Sequence, residues 1–529
     1  MLPVKIYIYS MFLKVINWCD HAVLSKDSEP SFYLEKDNWD DNYYKTRYHL
    51  HLSGNLTDDG NPLWIGEVKI LRKGQRREDA FQLESGKLDY LDFRYCSIGQ
   101  SLDYYERLSR LDKELRHKIL TALRDIAIFP QFRKNFENEE GLEVSLYHFL
   151  ESDDDLFSFA PAMISGDYSN LAQKEIAFRF QIEGMKEPVP FSFDLPDHKY
   201  GDPEEPQARI HVITGKDDSA KDKFLGKLAR QAYASNDERD LLQNEGSLEP
   251  NNIGFTRIIC LSYSPAITFI IPALYVHEKE QIVREMQKVA GRFIYCGNHD
   301  LAKELDESLK SFTIDTDGRV WEFDLPADAN TFQKTNEELT AEFVNAMEAI
   351  EQDLLKQDLL DDLFAYMKVI PDLQFITNIE FPRLREQELA EFFEHLAGES
   401  QILLHAALHL ILCVTPRSLV LFNAPETYLR PTLVNLLLNY SGHLLEKQNA
   451  SMIVATESLE VLRETKSRNV TIFRKVGDII ENSMPEIETY GETTEAITAY
   501  LDGIHKKNNP DDDAPHPETL ENFLQDGER

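Results

Sequence analysis

Between residues 209 and 455 the sequence repeatedly sets a short, largely apolar run beside a helical pattern. Arg209–Thr214 ends on Gly215 and leads into a helix reaching about Gln231. Ile258–Leu261 is a second run. Ser418–Phe422 and Ser451–Ala455 flank a helix over Arg430–Leu445. Short runs apolar on both sides of the pleat are buried on both faces, and strands alternating with helices pair in parallel. The expectation is an α/β fold with a doubly wound, mostly parallel sheet. The apolar stretch Ile258–Val276 is interrupted by Ser262, Ser264, Pro265, Thr268 and Pro272, which predicts two buried strands and a turn rather than a membrane span. Residues 232–252 are polar and acidic and read as a loop.

The first 208 residues read differently. Tyr44, Thr46, Tyr48, Leu50 and Leu52 alternate with polar residues, Asp58–Asn61 is a turn, and Leu63–Leu71 is a second strand. One apolar stripe (Leu102, Tyr105, Leu108, Leu111, Leu115, Ile119, Leu123, Ile126) predicts helix over 101–128. Strands return at Ile176–Ile182 and Val189–Leu195, and a stretch rich in Pro and acids, Pro196–Gln207, follows. Further helices are expected over 337–368 (long and acidic), Glu386–Leu396 and His405–Leu412. The organisation is a β-rich lobe with a helical insertion over 1–208, an α/β lobe over 209–504 with a helical subdomain at about 330–400, and a disordered acidic tail over 505–529 carrying Asp511, Asp512 and Asp513.

Charge and cysteine usage narrow the function. Acids outnumber bases 92 to 56, a formal net charge of −36. The densest basic cluster (Arg72, Lys73, Arg76, Arg77) is short. Wrapping of duplex DNA by phosphate neutralisation is disfavoured, although a local nucleic-acid contact stays open. Five cysteines (Cys19, Cys96, Cys260, Cys296, Cys413) without C-x-x-C spacing fit a reducing cytoplasm better than a disulfide framework or zinc cluster. Met1–Val23 lacks a basic n-region before a clean apolar run, so no signal peptide is expected.

Four segments in order resemble the nucleotide-binding head of ABC-type P-loop ATPases, above all the SMC- and RecF-like ATPases of bacterial anti-phage defence operons. Ile213–Asp222 (ITGKDDSAKD) stands where a Walker A loop, G-x-x-x-x-G-K-[ST], belongs. Such a loop turns backbone N–H groups onto phosphate, its Lys onto the β/γ-phosphates and its hydroxyl onto Mg²⁺. Gly215 and Lys221 match. Ala220 replaces the second Gly, Asp222 replaces the hydroxyl, and Asp217 and Asp218 add charge beside Lys216 and Ser219. His395–Leu403 (HLAGESQIL) is similar to the ABC signature: Gly398 and Glu399 match, Ala397 precedes them, and Leu396 takes the serine's place. Ser418–Pro431 (SLVLFNAPETYLRP) resembles a Walker B stretch, with Asn423 for the Mg²⁺-side Asp, Ala424 for the Glu that activates water, and Glu426 retained. Ile453–Ser458 (IVATES) resembles the switch segment, with Glu457 for the γ-phosphate-sensing His.

The departures act in one direction, removing Mg²⁺ ligands, general base, signature hydroxyl and phosphate sensor while adding acids where an anion would sit. The resemblance therefore implies a catalytically inactive pseudo-ATPase: a scaffold, sensor or regulator in a multi-protein complex, without cofactor or metal. Its partners would be an ATPase homologue, itself, or an effector or toxin, with no membrane involved. Two alternatives stay open: a weakly active ATPase driving a nuclease or toxin, and a nucleotide-binding switch without hydrolysis that retains ATP and Mg²⁺ at the remnant site. His405 and His409, four apart among Leu and Ala, read as a packed helix rather than a zinc pair. Asp37, Asp40 and Asp41 read as a solvated turn, Trp39 as a packing anchor of the first lobe.

Overall fold

The computed structural model describes residues 12–18, 30–40, 42–57, 60–148, 153–169, 171, 176–193, 208–216, 218–251, 253–311 and 332–506. Several expectations lie outside them: most of Met1–Val23 with Cys19, Asp41, Asp58 and Asp59 of the first turn, Pro196–Gln207, Asp217, and the tail beyond Lys506; His505 and Lys506, expected in that tail, instead end a helix over Thr494–Lys506.

The first lobe is a six-stranded sheet of β1 (Leu13–Ile16), β2 (Phe32–Lys36), β3 (Arg47–Leu52), β4 (Leu63–Arg72), β5 (Gly86–Leu88) and β6 (Tyr95–Gly99), ordered β5-β1-β2-β3-β4-β6. Tyr48, Leu50 and Leu52 bury one face of β3, as their alternation requires, together with Tyr104, Tyr105 and Leu108. Those last residues belong to α1 (Leu102–Ser109). The expected single helix over 101–128 is two: Asp112 caps α2 (Lys113–Leu123), its carboxylate accepting from the N–H groups of Glu114 and Leu115. A good N-cap restarts a helix that the apolar stripe alone would continue. Trp39 is not an anchor; its side chain lies 62% exposed. Asp37 is buried, within 3.8 Å of Arg47 and 3.4 Å of His49.

The second sheet has seven strands: β9 (Ile210–Thr214), β11 (Ile258–Ser262), β12 (Phe293–Gly297), β13 (Leu419–Asn423), β14 (Ser451–Ala455), β15 (Val470–Val476) and β16 (Ile479–Ser483). Their order is β12-β11-β13-β14-β9-β15-β16, parallel except for the β15–β16 hairpin. Period-two alternation assigns the faces. Val212, Ile259, Leu261, Val420, Phe422, Met452 and Val454 face one core, under the helices α5 (Asn336–Glu351), α6 (Leu354–Met367), α7 (Glu386–Glu394), α8 (Gly398–Cys413) and α9 (Pro431–Gln448). Ile213, Ile258, Cys260, Leu419, Leu421 and Ile453 face the other, against Phe224, Leu225 and Leu228 of α3 (Asp218–Tyr233). The α/β, doubly wound expectation is met.

The second core also takes in Ile176, Phe178 and Phe180 of β7 (Ile176–Gln181) and Val189, Phe191 and Phe193 of β8 (Val189–Phe193), so it joins residues from both sides of position 208. Their small sheet is completed by β10 (Ser247–Glu249), inside the expected 232–252 loop, which also holds a short helix, Asn236–Leu241. Only the first of the two strands expected within Ile258–Val276 forms; after Ser262 the chain runs irregularly to α4 (Val276–Met286). The long helix expected over 337–368 breaks at Asp353, which caps α6. Helix α8 starts seven residues before His405, at Gly398. Among the described residues no helix is long and apolar enough to cross a membrane.

The two lobes meet through buried charge. Arg107 of α1 donates from Nε to Glu285 of α4 at 2.7 Å, and Arg292 pairs with Asp103, which also accepts from the Tyr233 hydroxyl at 3.2 Å.

Candidate functional site

In the order β13-β14-β9 the carboxyl ends of three parallel strands lie side by side, and crevices in such sheets open there. The loops leaving these ends carry three of the four motif-like segments, so Lys221, Asn423, Ala424, Glu426 and Glu457 come together.

After β9 the chain turns at Gly215. Its φ is +148°, and a Cβ there would meet the Phe473 carbonyl oxygen at 2.3 Å. Glycine is thus required by the close passage of β15. Lys216 points out of the site and pairs with Asp502 at 3.1 Å. Asp218 and Ser219 open α3, and Ala220 is buried. Asp222 follows on the same helix, half-buried. Lys221 is 2% exposed. Its ammonium donates to the Gly215 carbonyl oxygen, on its own loop, and to Glu457 Oε1 at 3.0 Å. A phosphate-binding lysine would present that charge to the ligand; here it closes back onto the loop.

The end of β13 continues the pattern. Asn423 is buried and donates from Nδ2 to Thr268 Oγ1 at 2.7 Å. Ala424 sits in the left-handed region at φ +44°, its N–H bonded to the Ala455 carbonyl at 2.8 Å, which ties the β13 and β14 loops. Glu426 does not cap α9: its Oε1 accepts from the Glu457 N–H at 2.6 Å, and its Oε2 is buried without a partner. One retained acid therefore positions the backbone of the replaced switch residue.

The signature-like segment reaches the Walker B-like stretch through a charged contact. Leu396 is buried, Ala397 is the N-cap of α8 and Gly398 its first residue, with open space where a Cβ would stand. Glu399 lies 3.8 Å from Arg430 at the start of α9. A glycine at a helix start with unfilled space beside it leaves the surface approachable.

The positions expected to serve Mg²⁺–ATP carry a mixed donor set. Mg²⁺ takes carboxylate, hydroxyl and water oxygens in near-ideal octahedral geometry. At the two expected ligand positions stand Asp222 and an amide, Asn423, whose N–H₂ is already given to Thr268. The Lys221 ammonium is engaged, and Ala424 has no group to accept a proton from water. What the arrangement does chemically is hold three loops together by a Lys221–Glu457 pair and a Glu426–Glu457 backbone bond.

Thr268 is the contributor that sequence reasoning passed over. It was visible only as one of the polar interruptions in Ile258–Val276; that it follows an irregular segment back under β13 has no local signature.

No family model matches the chain. It is 25% identical over 491 residues to Protein ea59 of Escherichia phage lambda, spanning 88% of this chain and 85% of that protein. Among solved structures it is similar to the SMC head domain from Thermotoga maritima, at 10% identity and TM-score 0.28 over 59% of this chain and 100% of that one. UvrA2 from Deinococcus radiodurans gives 12% identity and TM-score 0.27, covering 62% of this chain and 40% of that one. A nucleotide-free ATP-binding cassette from an ABC transporter gives 12% identity and TM-score 0.28, over 62% and 96%.

Proposed function

We propose that this chain is an ABC/SMC-like head whose nucleotide pocket is closed by its own side chains, and that it acts by recognising a protein partner rather than by hydrolysing ATP. The observation that carries the reading is the engagement of Lys221 by Glu457 and the Gly215 carbonyl. Around it, an amide (Asn423) stands at the Mg²⁺-side position of the Walker B-like stretch and Ala424 at the position of the water-activating acid. The partner is an active ATPase homologue, a second copy or an effector, met in the cytoplasm. The motif resemblance supports a setting in anti-phage defence; the 25% identical relative is a phage lambda protein.

A second reading, a nucleotide-binding switch without turnover, is favoured by one feature. The Glu457 side chain is 49% exposed, so it can swing into solvent and release Lys221.

Equilibrium binding of a fluorescent ATP analogue with Mg²⁺, with phosphate release read in the same sample, tests both. Neither binding nor release is expected. Binding without release supports the switch. Phosphate release that Lys221→Ala abolishes overturns the proposal and establishes an ATPase.

A further inference from the structure

Away from the pocket, where the helical layer covers the edge strand β12, lies a cluster the sequence treats as plain core. Cys296 of β12 and His405 and His409 of α8 are all at least 97% buried. Cys296 Sγ and one ring nitrogen from each histidine lie within 4.8 Å of one another. Cys296 Sγ is 3.3 Å from His405 Nδ1, and the Tyr263 hydroxyl is 2.8 Å from that nitrogen and 3.3 Å from the sulfur. These separations approach the spacing between ligand atoms around a small tetrahedral ion with bonds of about 2.0–2.3 Å.

The surroundings orient the rings. His405 donates from Nε2 to Glu342 of α5 at 2.8 Å, and Glu342 is held by Lys334 at 2.7 Å. His409 donates from Nδ1 to the His405 carbonyl at 2.7 Å. Metal-binding histidines characteristically give their second N–H to a carboxylate or a backbone carbonyl, which fixes the tautomer and leaves a lone pair for the ion. The contrasting cluster of Asp37, His49 and Glu67 in the first lobe is already crossed by Arg47, 3.3 Å from Glu67.

We propose that Cys296, His405 and His409 bind one Zn²⁺ as a structural site, with the fourth position facing the Tyr263 hydroxyl. A thiolate with two imidazoles selects zinc among the abundant divalent ions. Binding releases the Cys296 thiol proton to solvent, and no redox step is involved. The ion fastens α8 to the edge of the seven-stranded sheet and, through Glu342, to α5.

The untagged full-length protein, purified without chelator, is expected to carry one zinc per chain by elemental mass spectrometry. Refilled with Co²⁺, it is expected to show a thiolate-to-cobalt charge-transfer band that Cys296→Ser removes. Glu342→Gln, which keeps the ligands and removes the orienting charge along with its pairing to Lys334, is expected to weaken metal affinity by about 10–100-fold. Folded protein that takes up neither zinc nor cobalt overturns the proposal and leaves a purely hydrogen-bonded network. Metal whose stoichiometry survives both Cys296→Ser and His409→Gln overturns it too, since the ion then sits elsewhere. If Cys296→Ser does not fold, Glu342→Gln decides alone: unchanged affinity refutes the site.

Discussion

Replacing Glu457 by Gln is expected to open the pocket to polyphosphate. In the native arrangement the carboxylate lies 3.0 Å from Lys221 Nζ. Two unit charges at that distance interact by about 1.4 kcal/mol in the dielectric of water and by about 5.5 kcal/mol at an effective dielectric of 20. The Glu457 side chain is half exposed and that of Lys221 is not, so solvent screening places the pair near the lower figure, at about 2 kcal/mol. Glutamine keeps the shape and removes the charge. Lys221 is then attracted less strongly to its own loop, and an entering phosphate no longer meets a carboxylate beside the lysine. Both changes favour the ligand, and 1.4 kcal/mol is a factor of ten, so affinity is expected to rise about tenfold or more. The assay is titration of a fluorescent ATP analogue and of tripolyphosphate into wild type and E457Q, with thermal unfolding alongside. Without ligand E457Q should be less stable by about 2 kcal/mol, and tripolyphosphate should restore part of that. If E457Q binds neither ligand, or binds no more tightly than wild type, Glu457 does not close the pocket and the reasoning fails.

Three further outcomes follow from packing inside the fold. Glu285→Gln should destabilise the chain by about 3–5 kcal/mol, because Arg107 is left in the lobe interface without its carboxylate; a urea midpoint unchanged from wild type would contradict this. Burial pushes the Asp125 carboxyl up to about 6 from an ordinary 3.8. The native state then holds more protons than the unfolded chain between those values, so stability should fall by up to about 3 kcal/mol as pH rises from about 4 to about 6. Asp125→Asn should remove this component of the pH slope in Tm, and an identical slope in the variant would refute it. Gly215→Ala should cost at least about 1–3 kcal/mol from backbone strain alone, plus the clash with the Phe473 carbonyl, read as a lowered Tm.

What the sequence disclosed followed the range of its signals. Strand and helix alternation over 209–455 was legible because apolar runs and 3.6-residue stripes are local, and so were β9, β13 and β14 with the helices between them. Breaks inside helices were not: Asp112 and Asp353 end apolar stripes by capping, which periodicity does not register. Asp37 read as a solvated turn residue because the Arg47 and His49 that bury it lie ten or more positions on. In the site, the identity of each altered residue was visible, but where Lys221 turns, and that Glu426 serves the Glu457 backbone, depend on loops brought together by strand order. The signature-like segment matched in letters, and that its Glu399 meets Arg430 of the Walker B-like stretch depends on how two helices pack. His405 and His409 looked like core because their polar partners, Cys296, Tyr263 and Glu342, come from three other segments.

The place of β9 in the sheet has a consequence for synthesis. It is hydrogen-bonded on one side to β14 and on the other to β15, and those strands begin at Ser451 and Val470. A nascent chain emerges from its N-terminus at about 5–20 residues per second. Ile210–Thr214 therefore leaves the ribosome on the order of ten to fifty seconds before either neighbour exists. For that interval a strand with two unpaired edges, and the apolar faces it will later bury, have no native partner to close on. Such segments invite pairing with other chains. The yield of this protein should therefore depend on how its unfinished middle is shielded while translation runs, more than on the stability of the finished fold.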